Sequence, residues 1–210
     1  MKCFLSHIKV RFGILCPALV YVCGVLIAAT SDAQQFGWDE SGQGDLSNNR
    51  LEPSAFTLET NGSTTLRGMV GDGDIDYFTF EVAEGSEWTS LVVNAFSGGD
   101  QLAFFGLQSG PVFTEPNDIT AINIGNLLGY TLYGPGNGTV GTDILDDVGK
   151  GALSQGFSGS LAAGEYTVWL RQGGPEMSYE FTFVTIPSPS CAGLAFGFLP
   201  MFSRRRRSVG

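Results

Sequence analysis

Strict period-two alternation of apolar residues constrains this chain more than any other feature. Along 76–82, Phe78, Phe80 and Val82 share one face while Tyr77, Thr79 and Glu81 share the other. Residues 165–171 repeat the pattern with Tyr166, Val168 and Leu170, and 178–184 repeat it with Tyr179, Phe181 and Phe183. Successive side chains of a strand point to opposite faces, so the pattern belongs to strands and not to helices. Further strands are predicted over 55–59, 63–70, 89–96, 102–108 and 130–133. Turn chemistry separates them at Asn61-Gly62, Gly71-Asp72-Gly73, Gly98-Gly99-Asp100, Gly134-Pro135-Gly136 and Gly173-Gly174-Pro175. The 30 glycines among 210 residues suit such a turn-rich chain. Only 142–148 carries a helical pattern, enough for one capped turn. The expectation is an all-β fold, an antiparallel β-sandwich of the jelly-roll kind.

Both ends differ from this body. Lys2, Lys9 and Arg11 precede an apolar run over 12–29, and Ser31-Asp32-Ala33 sets small residues at −3 and −1 of a cleavage site. That is the layout of a secretory signal helix over 1–33, cut between Ala33 and Gln34 after export by the Sec machinery. An uncleaved anchor is the competing reading, because 18 apolar residues just span a bilayer. Pro17 and the small-residue site favour cleavage. A lipoprotein is not indicated, since Leu15 and Val22 precede Cys16 and Cys23 where a small residue belongs.

The C-terminal tail, 188–210, joins a short hydrophobic helix to the cluster Arg204, Arg205, Arg206 and Arg207. Twelve apolar residues (191–202) cover only ~18 Å as a helix, short of a ~30 Å hydrocarbon core, and Pro200 weakens the helix further. The four arginines stop in the cytoplasm by the positive-inside rule. The segment suits transient membrane anchoring better than permanent residence. Pro187-Ser188-Pro189, the apolar stretch and the arginines together resemble the PEP-CTERM sorting tail of Gram-negative-type bacteria. In that family an exosortase, a membrane-embedded cysteine transpeptidase, recognises and removes the tail. The resemblance implies that Pro187 and Pro189 mark the recognition site and Arg204 to Arg207 the stop. Ser188 stands where the family most often has glutamate.

The body, 34–187, reads as one domain. The single histidine, His7, and all four cysteines (Cys3, Cys16, Cys23, Cys191) lie outside it. This excludes Ser-His-Asp and Cys-His nucleophilic machinery, Cys/His zinc sites and disulfides from the domain. Arg50, Arg67, Lys150 and Arg171 stand against 20 Asp and Glu. So acidic a surface repels nucleic acid and offers oxygen ligands to hard cations.

Gly73-Asp74-Ile75-Asp76-Tyr77-Phe78-Thr79-Phe80, then Val82-Ala83-Glu84-Gly85, Gly99-Asp100-Gln101-Leu102, 161–168 and 178–183 are together similar to the bacterial pre-peptidase C-terminal (PPC) domain. That resemblance, over about 70–186, implies a non-catalytic sandwich associated with substrate or matrix binding, some members of which bind calcium. The stretch 111–159 is longer than the module carries, and a specific function is expected there.

Asp72, Asp74 and Asp76 form a D-x-D-x-D run beside glycines, as calcium loops do. An EF-hand is excluded, because Tyr77 replaces the sixth-position glycine and Ala83 the twelfth-position glutamate. The alternative is a turn capped by Asp72 and Asp74, with Asp76 opening a strand. Asp143, Asp146 and Asp147 read as a helix first turn. Glu165, Asp76 and Glu180 are placed at solvent-facing or terminal strand positions, and no motif pairs them at a defined separation for glycoside hydrolysis. Trp38, Trp88 and Trp169 stack on sugars if exposed; burial in a second sheet face or under a loop is the preferred reading. Asn61-Gly62-Ser63 and Asn137-Gly138-Thr139 read as turns and not as glycosylation sites. The expected function is that of an exported, non-enzymatic protein of the cell surface or extracellular matrix. Its partners would be an exosortase-like enzyme and exopolysaccharide or other matrix. No cofactor is expected beyond possible calcium, and a carboxylate-based envelope glycan hydrolase is the alternative.

Overall fold

In a computed structural model, residues 35–117 and 124–189 are described. The expected signal helix over 1–33 and the expected hydrophobic helix of the 188–210 tail fall on residues outside the described ones, as do Ala33, Gln34 and Arg204 to Arg207. Among the described residues nine strands form: β1 (Gln35–Asp39), β2 (Ser54–Thr57), β3 (Ser63–Val70), β4 (Ile75–Val82), β5 (Ser86–Gly98), β6 (Ala103–Ser109), β7 (Gly129–Tyr133), β8 (Gly164–Arg171) and β9 (Met177–Pro187). They make two sheets, a four-stranded one in the order β1-β3-β9-β5 and a five-stranded one in the order β2-β4-β8-β6-β7.

Alternation decides which side chains meet between the sheets. Phe78 and Phe80 of β4, Trp88 of β5 and Phe183 of β9 form one aromatic cluster. Phe80 lies edge-on to Trp88 at 5.1 Å and to Phe183 at 5.2 Å. Each such ring stabilises the fold by about 1.5–3 kcal/mol through burial, and each well-oriented pair adds about 0.5–1.5 kcal/mol. Tyr133 of β7 closes the core from the far edge, 4.9 Å from Phe181.

The expected antiparallel sandwich is corrected at one edge of each sheet. β1 runs parallel to β3, and β2 runs parallel to β4. Between each pair the chain crosses to the other sheet, so it re-enters the first sheet in its original direction. β1 is absent from the sequence-based strand list because Gly37 interrupts its short alternation. Gly37 is required by close approach: a Cβ there would overlap the Phe56 ring and Thr64. The predicted helical turn is found as α2 (Leu145–Gly149). A second short helix, α1 (Glu40–Gln43), has no signature in the chain's periodicity.

The outer face of the second sheet is covered, as the preferred reading of a tryptophan buried under a loop expects, for Trp169 is 0% exposed and Tyr77 1%. They stack at 6.1 Å, and Phe113 from the long 111–159 segment packs edge-on to Trp169 at 5.6 Å. Leu127 joins the same cluster. Arg50 holds the cover in place by donating Nη1 to the carbonyls of Phe113 and Thr114. Further along, Ile144, Leu145 and Val148 enter the main core. Asp143 Oδ1 fixes that stretch by accepting from the amides of Leu91 and Leu145. Much of the long segment is therefore a structural lid on sheet and core.

Candidate metal centre

At the end of β1, Asp39 Oδ1 accepts from both the amide and the hydroxyl of Ser41, at 3.0 and 2.6 Å, and this starts α1. The turn throws the Glu40 side chain across β3. Glu40 Oε2 accepts from the amide of Met69 at 2.7 Å, and Oε1 accepts from that of Leu46 at 3.3 Å. Gly68 gives them room, since a Cβ at that position would overlap both Glu40 Oε1 and the Tyr179 hydroxyl. From the second sheet, β4 contributes Asp76, whose even-numbered position puts it on the inner face with Phe78 and Phe80. Its carboxylate is 0% exposed, which corrects the expectation of a solvent-facing residue. Tyr179 donates to Asp76 Oδ2 at 2.6 Å, and Asp76 Oδ1 has no hydrogen-bond partner.

Glu40, Asp45 and Asp76 thus converge, with one oxygen from each within 4.8 Å of the others. Asp45 is exposed, Glu40 half-buried and Asp76 buried, so the group runs from solvent inward. Burial, reinforced by the neighbouring Asp45 and Asp74 charges, pushes Glu40 up to about 7. Burial likewise pushes Asp76 up to about 8, aided by the charges of Glu40, Asp74 and Asp45 and opposed by the Tyr179 hydrogen bond. Among the described residues, no positive side chain is a main cause in either shift. Clustered carboxylates without a counter-charge either hold protons or hold a cation. An all-oxygen donor set suits a hard ion of the calcium type. The unpartnered Asp76 Oδ1 is the atom such an ion would satisfy.

Of the predicted run Asp72, Asp74 and Asp76, only Asp76 belongs to this group. Asp72 is exposed in the turn between β3 and β4, and its amide donates to the Gly174 carbonyl. Asp74 lies beside the group, its own carboxyl raised by burial and by Asp45. Glu40 and Asp45 are absent from the predicted set, because only the pairing of β1 with β3 brings the 40–45 segment over β4. Glu165, Asp76 and Glu180 do not assemble. Glu165 pairs with Glu81, five residues along β4 from Asp76, or about 17 Å of strand. Glu180 lies on the outer face, where its carboxylate receives Arg67 Nε at 2.6 Å. None of the tryptophans offers a sugar platform: Trp88 and Trp169 are fully buried, and half-buried Trp38 packs on the core while donating to the Gly44 carbonyl. Asn61 and Asn137 both occupy turns. Pro187 ends β9 and Pro189 follows it. Among the described residues no helix is long and apolar enough to cross a membrane.

No protein-family model matches the chain, and no curated protein matches it. Among solved structures, the chain has a weak match to the pre-peptidase C-terminal domain of a collagenase from Bacillus anthracis. Identity is 19%, the alignment covers 66% of this chain and 99% of that one, and the TM-score is 0.32. The class defined by the two sheets themselves is an all-β sandwich module, with an acidic cluster between strands of its two sheets.

Proposed function

We propose that this chain is an exported, non-enzymatic sandwich of the cell surface or matrix, sorted by its C-terminal tail and stabilised by calcium at Glu40, Asp45 and Asp76. The observation that carries the sorting half is the position of the ends. Gln35 pairs with Thr64, and Thr64 pairs with Phe183, so the domain's first residues and the close of β9 lie at one pole. The acidic cluster sits near the other, where Glu40 meets Met69, five residues or about 17 Å along β3 from Thr64. Both ends leaving one pole suits a precursor held at a membrane by its two terminal segments, through the Sec machinery and then an exosortase-like enzyme. The acidic pole then faces outward, toward exopolysaccharide or matrix.

A groove of about 380 Å³ on the outer face of the four-stranded sheet is lined by Glu40, Arg67, Met69 and Tyr179, among others. Of the three carboxylates only Glu40 lines it, so a ligand seated there would lie beside one wall of the ion site. Fractionation with intact-mass measurement tests export and sorting: mature surface protein starts at Gln34 and lacks Arg204 to Arg207. Retention of both ends on surface protein would refute the sorting reading. Glycan binding without product release separates a binding module from a hydrolase, whose turnover would disappear on Asp76→Asn.

A further inference from the structure

We infer that the fold itself fixes where the C-terminal tail can be cut, and that the boundary is Ser188. Its biological meaning rests on the sorting reading above; its structural basis does not. β9 is a central strand. It is paired to β3 through Val184, and its last three residues pair with β5 as far as Pro187 opposite Ser86. The Thr185 amide also donates to the Gly62 carbonyl. One residue further, the Ser188 amide donates to the Gly85 carbonyl at 2.7 Å.

Glu87 completes the clip. Its Oε1 accepts from the Ser188 hydroxyl at 3.1 Å, and its Oε2 accepts from the Ser160 hydroxyl at 2.6 Å. Beside it, Trp88 and Leu161 exchange two backbone hydrogen bonds of 2.8 Å. One carboxylate therefore pins the root of the tail to the start of β5 and to the 160–161 segment. The two prolines of Pro187-Ser188-Pro189 fall on opposite sides of this clip.

A peptidase or transpeptidase takes its substrate as free, extended backbone, and through Ser188 that backbone is already engaged. Cutting a folded domain must wait for local opening, so protected bonds react far more slowly than free ones. The first peptide bond outside this pairing is Ser188–Pro189. In hydrolysis, water's hydroxyl goes to the carbonyl carbon and its proton to the leaving amine; in transfer, an acceptor nucleophile takes the hydroxyl's place. Either way the mature domain keeps Ser188, and whatever is attached to its new end sits against the sandwich without a spacer.

The test is brief proteinase K digestion of the purified full chain, read by intact mass. Because proline after a bond itself blocks this protease, the digestion is run on a Pro189→Ala background, where trimming from the C-terminus should reach Ser188 and stop there. Glu87→Ala should let trimming run back into 185–188 with the sandwich still folded, and Ser188→Ala should give a smaller shift. Trimming past Thr185 without the Glu87 change, in a protein that still melts cooperatively, would overturn the inference, as would an unchanged stop in Glu87→Ala. Mature protein from the native host provides the second arm. A C-terminus at or after Ser188 supports the boundary, and one before Thr185 overturns it. An intact Gly210 there sinks the sorting reading alone, and the digestion then decides the boundary by itself.

Discussion

The Tyr179 hydroxyl donates a 2.6 Å hydrogen bond to Asp76 Oδ2 across the interior, joining the central strand of one sheet to β4 of the other. A single phenol leaves the second carboxylate oxygen without a partner. A buried acid so placed favours its proton, and the stability of the domain must follow that proton.

In metal-free protein, stability should fall as pH rises. Asp76 moves from an ordinary 3.8 to about 8 in the fold, and Glu40 from 4.5 to about 7. A folded-state value above the unfolded one means that the native state binds more protons between the two. The contribution is therefore complete below about pH 4, declines through the intervening window and is exhausted above about pH 8. Thermal melts in EDTA should show a lower Tm at pH 8.5 than at pH 5. Asp76→Asn should flatten much of this slope; an unchanged slope would remove Asp76 as its source.

Calcium should reverse the trend, because the ion binds ionised carboxylates and competes with their protons. At a free concentration one hundred times Kd, a ligand specific to the native state contributes about 2.7 kcal/mol. For a domain of this size that is roughly 5–10 °C in Tm. The gain should be large at pH 8.5 and small at pH 5. Asp45→Asn should reduce it while leaving the metal-free Tm unchanged or slightly higher, since Asp45 is exposed and its charge opposes ionisation of Glu40 and Asp76. A melt indifferent to calcium at pH 8.5 would leave the three carboxylates as a protonated cluster.

Most strands are legible in the sequence because apolar parity and glycine turns are local signals. The predicted 63–70 coincides with β3, and Phe78, Phe80, Phe181 and Phe183 all face the core as their parity requires. What escaped was non-local. Parity also places Asp76 inward, but its place at a strand end suggested solvent until Tyr179 supplied a buried partner. Trp169 occupies the outer face, as its odd position demands. Its burial under a loop is the preferred reading, but the covering residue, Phe113, comes from a segment with no periodicity of its own. Glu40 lies 36 positions from Asp76, and no short motif connects residues brought together by a crossover between sheets.

The cover over the second sheet should be a large energetic element. Trp169→Ala removes a ring packed between Tyr77, Phe104 and Phe113 and should cost about 3–5 kcal/mol. Tyr77→Phe should behave in the opposite way. The Tyr77 hydroxyl is buried without a partner, so its removal ends an uncompensated desolvation and should leave Tm unchanged or raise it. Urea melts of the two variants measure both effects. A marked loss in Tyr77→Phe would show that the hydroxyl is satisfied in solution.

Gly68→Ala tests the centre without touching a ligand oxygen. The position lies mid-strand in β3, opposite Tyr179, and alanine is tolerated in a strand's backbone geometry. The obstacle is space. An added Cβ would fall on the Tyr179 hydroxyl and on Glu40 Oε1, and Tyr179 is too tightly buried to move aside freely. Overpacking of this kind costs typically 1–3 kcal/mol, which a domain with so large an aromatic core should survive. Displacement of Tyr179 should break its bond to Asp76, and displacement of Glu40 should separate it from Asp45. The expected variant is folded, modestly destabilised and unresponsive to calcium, with a shallower pH dependence in EDTA. Isothermal titration at pH 8.5 beside far-UV circular dichroism reads both halves of that outcome. Full calcium affinity in a folded Gly68→Ala protein would place the ion away from Glu40 and Asp76.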